Sequence, residues 1–358
     1  MARIHNFSAG PAVLPESVLQ QLQSQLFEFG NTGIGLMEMS HRSAAFSEIV
    51  DTAQARVRRV LGLPQDYSVL FLQGGASSQF LAVANNLLQG GVADYLDTGT
   101  WSAKAIKEAK RFGTVNVAFS GKESGYNAVP TDWDKSQDAV YTHYTSNNTV
   151  AGTQFPGLPA SHAGLLVCDA SSDIASRPMD YSKIDVVYAG AQKNLGPSGV
   201  TLVTLSPAAQ ERAAASDAPT MLKWATHIAA KKQLFNTPNT IGIYTLERVF
   251  AWIEEQGLQA VAERNTAKAN ALYDLFDGSE FWEAHALPGS RSQMNVTWRL
   301  GQRDLESTLI AQAEAAGFSG IKGHRSVGGL RASIYNACPM DSVTALVDFL
   351  SEFERSHG

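Results

Sequence analysis

The chain reads as an α/β protein, a mainly parallel sheet covered by helices on both faces and followed by a smaller α+β unit. Three observations carry that expectation. Short Val/Ile/Leu runs alternate with helical patterns through residues 67–119, as buried parallel strands and their crossovers require. A glycine turn follows a strand end at Gly74-Gly75, and another, Gly196-Pro197-Ser198-Gly199, leads into an apolar strand. After Gly257 two strands stand among three helices, which reads as a smaller α+β unit.

The elements follow in order. Pro15 suits a first helical position, with Val18, Leu19, Leu22 and Leu26 at helical spacing behind it. Ser43 is the expected cap of a second helix that runs to Leu61 and stops at Gly62. The strand Tyr67–Leu72 precedes Gly74-Gly75 and an apolar helix through Phe80, Leu81, Val83 and Leu87. The cycle repeats with strand Val92–Leu96, helix Trp101–Phe112 and strand Thr114–Phe119. Further strands are expected at Gly164–Asp169, Asp185–Tyr188 and Val200–Leu205. Residues 208–240 show no clear pattern until the cap cluster Asn236–Thr240 opens a long helix through Leu246, Val249 and Trp252. Beyond Gly257 come a helix to Phe276, strand Gln293–Arg299, a helix to Ala316, strand Leu330–Tyr335 and a last helix from Asp341. With 358 residues the chain has room for two domains at roughly 100–200 residues each. The expected division is a large domain, 16–256, and a small one, 1–15 with 257–358.

Composition excludes several classes. Apolar content of 44% and charge content of 17% fit a globular protein with a sizeable core. A net charge of -6 without a basic block argues against nucleic acid as partner. The only cysteines, Cys168 and Cys338, leave no disulfide framework and no Cys-based zinc site. No apolar run precedes Gly10-Pro11 and none approaches the ~20 residues of a membrane span, so neither a signal peptide nor a membrane is expected. A cytoplasmic protein follows as the expectation.

The candidate chemistry centres on Lys193. It follows the strand Asp185–Tyr188 and the small residues Ala189-Gly190-Ala191, and precedes a glycine turn into a second apolar strand. A lysine held there loses water around its amine, which lowers its pKa and suits Schiff-base chemistry. A solvated loop lysine is the common alternative. Asp169 at the end of Gly164–Asp169 tips the balance, because an Asp…Lys pair is what a pyridoxal phosphate site requires. Gly74-Gly75-Ala76-Ser77 opens a helix, where free amides and a partial positive charge suit a phosphate; most such turns are only turns. Trp101 at a helix start can stack on a flat ring or serve the core. His143–Thr149 crowds hydroxyl and amide groups into what reads as one loop, from which Thr149 can reach a ring oxygen. Two His-Arg pairs, His41-Arg42 and His324-Arg325, and Arg331 at a strand start suit a substrate with a carboxylate and a phosphate. Against that stands the reading of ordinary surface arginines.

Together these residues resemble the phosphoserine aminotransferase family, fold-type I pyridoxal phosphate enzymes of the class V group. The resemblance spans the chain, from Asn6-Phe-Ser-Ala-Gly-Pro-Ala12 through Thr98-Gly-Thr-Trp101, Ser176-Arg-Pro178 and Ala189-Gly-Ala-Gln-Lys-Asn194. It continues through Phe235-Asn-Thr-Pro238 and Gly323-His-Arg325 to Leu330-Arg-Ala-Ser-Ile-Tyr-Asn336. It implies a seven-stranded sheet, a homodimer with shared active sites, and a Schiff base between Lys193 and pyridoxal 5'-phosphate. It implies further that Asp169 pairs with the ring nitrogen, Trp101 stacks on the ring and Thr149 bonds its phenolic oxygen. The cofactor phosphate would be held by Ala76, Ser77 and Gln192, with Asn236 and Thr237 reaching in from the partner subunit. Arg331 would take the substrate α-carboxylate, and His41, Arg42, His324 and Arg325 its phosphate. Some members carry arginine where this chain has Ser77. The activity implied is amino-group exchange between glutamate and 3-phosphohydroxypyruvate, with 4-phosphohydroxythreonine open as a second substrate. Another class V enzyme, such as a serine–glyoxylate-type aminotransferase, stays open, as does a non-catalytic cofactor-binding α/β protein. A cysteine desulfurase fits poorly, since neither cysteine sits on a mobile loop.

Overall fold

A computed structural model describes residues 3–325 and 327–358 of the chain. Strand β1 (His5–Asn6) leads to α1 (Glu16–Ser24). Pro15 stands just before that helix, its ψ of 132° still extended. Helix α2 (Ala44–Leu61) has the expected ends: the Ser43 hydroxyl accepts from the Phe46 amide at 3.1 Å, and Gly62 closes it at φ +64°. Then β2 (Ser68–Gln73), α3 (Ala76–Leu87), β3 (Val92–Asp97), α4 (Thr100–Ala109) and β4 (Thr114–Ser120) keep the expected alternation. Helix α4 ends earlier than its pattern, because the Arg111 and Phe112 amides turn back on Glu108 and Ala109 in a tighter coil.

One expectation is corrected. His143 to Thr145 lie in a strand, β5 (Ala139–Thr145), and only the residues after it form the small hairpin β6 (Asn147–Asn148) with β7 (Thr153–Gln154). Polar composition disguised the strand. Its polar side chains find partners indoors: Thr142 donates to the Ala163 carbonyl at 2.9 Å, and the His143 ring meets the Tyr188 hydroxyl at 2.8 Å.

Next come β8 (Leu165–Asp169), β9 (Val186–Gly190) and β10 (Val200–Leu205). Helices α5 (Pro207–Ala214) and α6 (Trp224–Ala229) fill the stretch that showed no pattern. Helix α7 (Thr240–Gln256) is capped by Asn239, inside the expected cluster, and α8 (Leu258–Asp277) follows it. The rest comprises β11 (Trp282–Ala284), β12 (Asn295–Leu300), α9 (Glu306–Ala315), β13 (Phe318–Ser319), β14 (Leu330–Ser333) and α10 (Met340–His357).

The large sheet has seven strands in the order β2-β10-β9-β8-β5-β3-β4. All run parallel except β10, which is antiparallel to β2 and β9. The reason is the short link 191–199 between β9 and β10, which leaves no room for a parallel crossover of a dozen residues or more. Alternate residues pack on opposite faces: Val69 and Phe71 join a core that includes α2 and α7, while Leu70 and Leu72 join one under α3, α4 and α5. A third core gathers Phe7 with residues between 269 and 353 around the sheet β11-β12-β14. Because the other strands are parallel, the carboxyl ends of β2, β3, β5, β8 and β9 share one edge. Gly74-Gly75, Thr98 to Trp101, Ser146 to Thr149, Asp169 and Lys193 all emerge there, as ligand sites in such sheets do.

Candidate active site

Lys193 occupies the link between β9 and β10 and is only 9% exposed. Its ammonium donates to the Thr149 hydroxyl at 2.7 Å and lies 5.7 Å from the centre of the Trp101 ring. Burial pushes its pKa down to about 8; Asp169 and Asp173 oppose that shift, and Arg331 adds to it. Asp169 ends β8. Burial pushes its carboxyl above the usual range, partly countered by the Lys193 charge and by Ser171. The Ser171 hydroxyl (2.6 Å) and amide (3.0 Å) both donate to Asp169 Oδ1. Among the described residues Oδ2 receives no hydrogen bond, so it faces the site ready for another donor.

Arg331 reaches the same place from β14. It is 9% exposed, and its Nη1 donates to the Thr149 carbonyl at 3.2 Å. Thr149 therefore touches both cations, one through its hydroxyl and one through its backbone. The third-core sheet is tied to this loop again where the Thr297 hydroxyl donates to the Ala151 carbonyl at 2.7 Å. Gln192 is fixed from the other side: its carbonyl accepts the Ala12 amide at 2.9 Å.

Trp101 begins α4 beside Gly99. Asn148 holds that turn, its Nδ2 donating to the Thr98 carbonyl at 2.5 Å and its Oδ1 accepting from the Val150 and Ala151 amides. Lys104 lies 4.4 Å above the Trp101 ring. Helix α3 begins at Gly75 with no side-chain cap, so the first amides of Ala76 and Ser77 have no acceptor within the helix. The Ser77 side chain is exposed.

These residues fit pyridoxal phosphate on the structure's own terms. Among the described residues, Gln192 Oε1, Trp101 Nε1 and Arg331 Nε are all buried without a hydrogen-bond partner; Gln192 precedes the desolvated Lys193, Trp101 faces its amine and the Arg331 charge acts on it. Buried polar atoms are rarely left so. An uncapped helix start supplies the anion site, and a half-free carboxylate supplies the acceptor for a ring N–H.

The basic residues do not all converge within one chain. His41 and Arg42 line a cleft with Ser47, Lys231, Lys232 and Phe235. Arg325 lines another with Lys322. His324 belongs with the Lys193 side, since Arg331, Arg325 and Lys104 act on it, after burial, to lower its pKa. Burial first and Arg42 second lower the pKa of His41. Asn236 and Thr237 are exposed, and the Thr237 carbonyl accepts from Gln73 of its own chain.

Sequence reasoning missed Asn148, Ser171 and Asp173. The buried Asp173 carboxylate accepts from Gln154 at 3.0 Å and from Ser146, and burial raises its pKa. Nothing in Ser171-Ser172-Asp173 distinguishes it from a turn. Only its neighbours across the fold give it meaning.

Comparison with known proteins agrees with the geometry. The family model for aminotransferase class-V matches residues 4–346. The phosphoserine aminotransferase of Desulfatibacillum aliphaticivorans is 49% identical over 360 residues, covering 99% of each chain. The solved phosphoserine aminotransferase of Bacillus circulans subsp. alkalophilus superposes with a TM-score of 0.95 at 46% identity, over 99% of both chains. The pyridoxal phosphate-bound phosphoserine aminotransferase of Trichomonas vaginalis does so at 0.90 and 34% identity, over 98% of this chain and 100% of that one. With a buried Lys–Asp pair at the sheet edge and relatives this similar along the whole length, the chain belongs to the phosphoserine aminotransferase family of class-V aminotransferases.

Proposed function

We propose that this protein is a pyridoxal phosphate-dependent aminotransferase that exchanges an amino group between glutamate and 3-phosphohydroxypyruvate, giving O-phosphoserine and 2-oxoglutarate. The observation that carries it is the desolvated Lys193 set between Thr149, Trp101 and Asp169, with Arg331 reaching the Thr149 carbonyl from β14. Bound at Lys193, the cofactor supplies an electron sink for the substrate α-carbon. The rest is work for the chain. Lys193, once its amine is free, gives and takes the proton at that carbon. Asp169 would accept a hydrogen bond from the ring nitrogen and hold its proton. Trp101 would cover the ring, and the Thr149 hydroxyl would donate to the phenolic oxygen. The amides of Ala76 and Ser77, with Gln192, would take the cofactor phosphate.

Arg331 holds the α-carboxylate common to all the substrates. His324 and Arg325, with His41 and Arg42 of the partner subunit, hold the substrate phosphate. A homodimer is supported by large apolar side chains left in solvent: Phe27 is 94% exposed, Met37 66% and Phe235, which lines the cleft of His41 and Arg42, 44%. Asn236 and Thr237 of the partner subunit complete the cofactor phosphate site. The separate core around β11, β12 and β14 supports the division into 16–256 and 1–15 with 257–358, of which Met1, Ala2 and Ser326 lie outside the described residues. Among the described residues no helix is long and apolar enough to cross a membrane, and we read the compartment as the cytoplasm.

The test separates two half-reactions by stopped-flow absorbance. Removing one member of a desolvated charge pair costs on the order of 2–5 kcal/mol. Arg42→Ala or Arg325→Ala should therefore lower kcat/KM for the phosphorylated substrate by tens- to thousands-fold and leave the glutamate half-reaction nearly unchanged. Arg331→Ala should damage both. Equal losses for both substrates in the Arg42 and Arg325 variants would favour a broader class V enzyme.

A further inference from the structure

Lys268, on α8, is fully buried, yet among the described residues none of its hydrogen-bond partners is a carboxylate. Its ammonium donates to three backbone carbonyls: Tyr335 at 2.7 Å, Ile334 at 2.8 Å and Cys338 at 3.2 Å. All three donors of the group are thereby used. A buried cation is expensive to desolvate, and an apolar side chain of similar volume often stabilises a core as well or better. Stability alone is a weak reason for a lysine here.

The turn it grips joins the two halves of the site. Upstream lies β14 with Arg331. Within the turn, the Asn336 amide donates to Asn194 Oδ1 at 3.0 Å, beside Lys193, and its Nδ2 donates to the Ala175 carbonyl at 2.9 Å. Asn265, almost one helical turn before Lys268, donates to Asn336 Oδ1 at 2.8 Å. The Tyr335 hydroxyl donates to the Ala9 carbonyl at 2.8 Å and accepts from Asn295 at 3.2 Å. One short segment thus contacts α8, the Lys193 link and the N-terminal segment at Ala9, and continues the strand that carries Arg331.

We propose that Lys268 is a positioning residue whose three-point hold on the 334–338 turn sets the Arg331 guanidinium against Lys193. It touches neither substrate nor cofactor. The proposal rests on the reading of Arg331 as the α-carboxylate site, and it adds the element that fixes the reach of that site.

The test uses the holoenzyme of Lys268→Met, checked first by thermal melting. KM for glutamate and for the phosphorylated oxo acid should rise together by about tenfold, equivalent to ~1.4 kcal/mol. Turnover at saturation should fall by a smaller factor. The dissociation constant of 2-oxoglutarate, read from the cofactor's absorbance without turnover, should rise by the same factor as KM. Unchanged KM and unchanged 2-oxoglutarate binding would overturn the proposal and leave Lys268 a packing residue, whatever happens to the melting temperature. A loss larger in kcat than in KM would overturn it too. If Lys268→Met does not fold, Lys268→Gln, which keeps an amide donor for the turn, is judged by the same criteria. Arg331→Ala with unchanged KM would instead remove the underlying reading, a result separate from an unchanged Lys268→Met beside a damaged Arg331→Ala.

Discussion

Lys193 shows how far one side chain's ionisation depends on where the fold leaves it. Its pKa falls from the ordinary 10.5 to about 8 chiefly because water is excluded, while Asp169 pulls the other way. That shift carries a stability consequence in the cofactor-free protein. Below pH 8 the lysine is protonated in both the native and the unfolded state, and the native state bears the full cost of burying the charge. Between pH 8 and 10.5 the unfolded chain still holds the proton and the native chain has released it, so this group's contribution to stability rises with pH. Lys193→Ala removes the group. The variant should be the more stable protein near pH 7, and its advantage should shrink by up to about 3 kcal/mol by pH 10. Calorimetry of both cofactor-free proteins at the two pH values measures the difference directly. A constant gap between them would show that the amine is not desolvated as described. Buried tyrosines such as Tyr95 and Tyr188, whose pKa values burial raises, titrate in both proteins and cancel in that comparison.

At the scale of elements, what matters is how helix starts are aimed at the sheet edge. Helix α4 depends on Gly99: a Cβ there would run into the Asn148 side chain, which already holds Thr98 and the amides after it. Gly99→Ala should force that loop apart at a cost of about 1–3 kcal/mol, the usual penalty for overpacking. Trp101 would move with it. The expected readings are a melting temperature lower by a few degrees and altered tryptophan fluorescence. Gly75 at the start of α3 is the control for stability. Its backbone φ is −138° and a Cβ there would meet nothing within 4 Å, so Gly75→Ala should melt like the parent. Matching melts for the two variants would mean that the Asn148 contact does not constrain α4.

For the whole molecule the question is where the groups missing from one chain come from. His41 and Arg42 line a cleft separate from that of Arg325, and Asn236 and Thr237 face outward. A twofold dimer can return each of them to the other chain's site. Complementation tests this. Lys193→Ala and Arg42→Ala should each be nearly inactive on the phosphorylated substrate. When the two are unfolded and refolded together, half of the dimers should be hybrids with one intact site each, so activity should return to roughly a quarter of wild type. No recovery in a mixture shown to contain hybrids would place Arg42 in the site of its own chain.

Much of this molecule was legible in the sequence because its local signals agree with its fold. Ser43 and Gly62 bound α2 as their chemistry dictates, the apolar runs became strands of the large sheet, and the Asp169…Lys193 pair lies at the expected sheet edge. These features rest on short-range physics: capping, glycine conformations and the period of buried side chains. What the tertiary structure alone decided involves partners far apart in the chain. β5 hid behind polar side chains that are satisfied only across the sheet, and β10 runs backwards because the link carrying Lys193 is short. Asn148 and Asp173 acquire roles from neighbours that no spacing rule connects to them. Lys268 looked like any helical lysine, because its cost and its purpose depend on a turn about seventy positions away. Burial and long-range hydrogen bonding are properties of the folded arrangement, and a linear pattern encodes them only through the fold it produces.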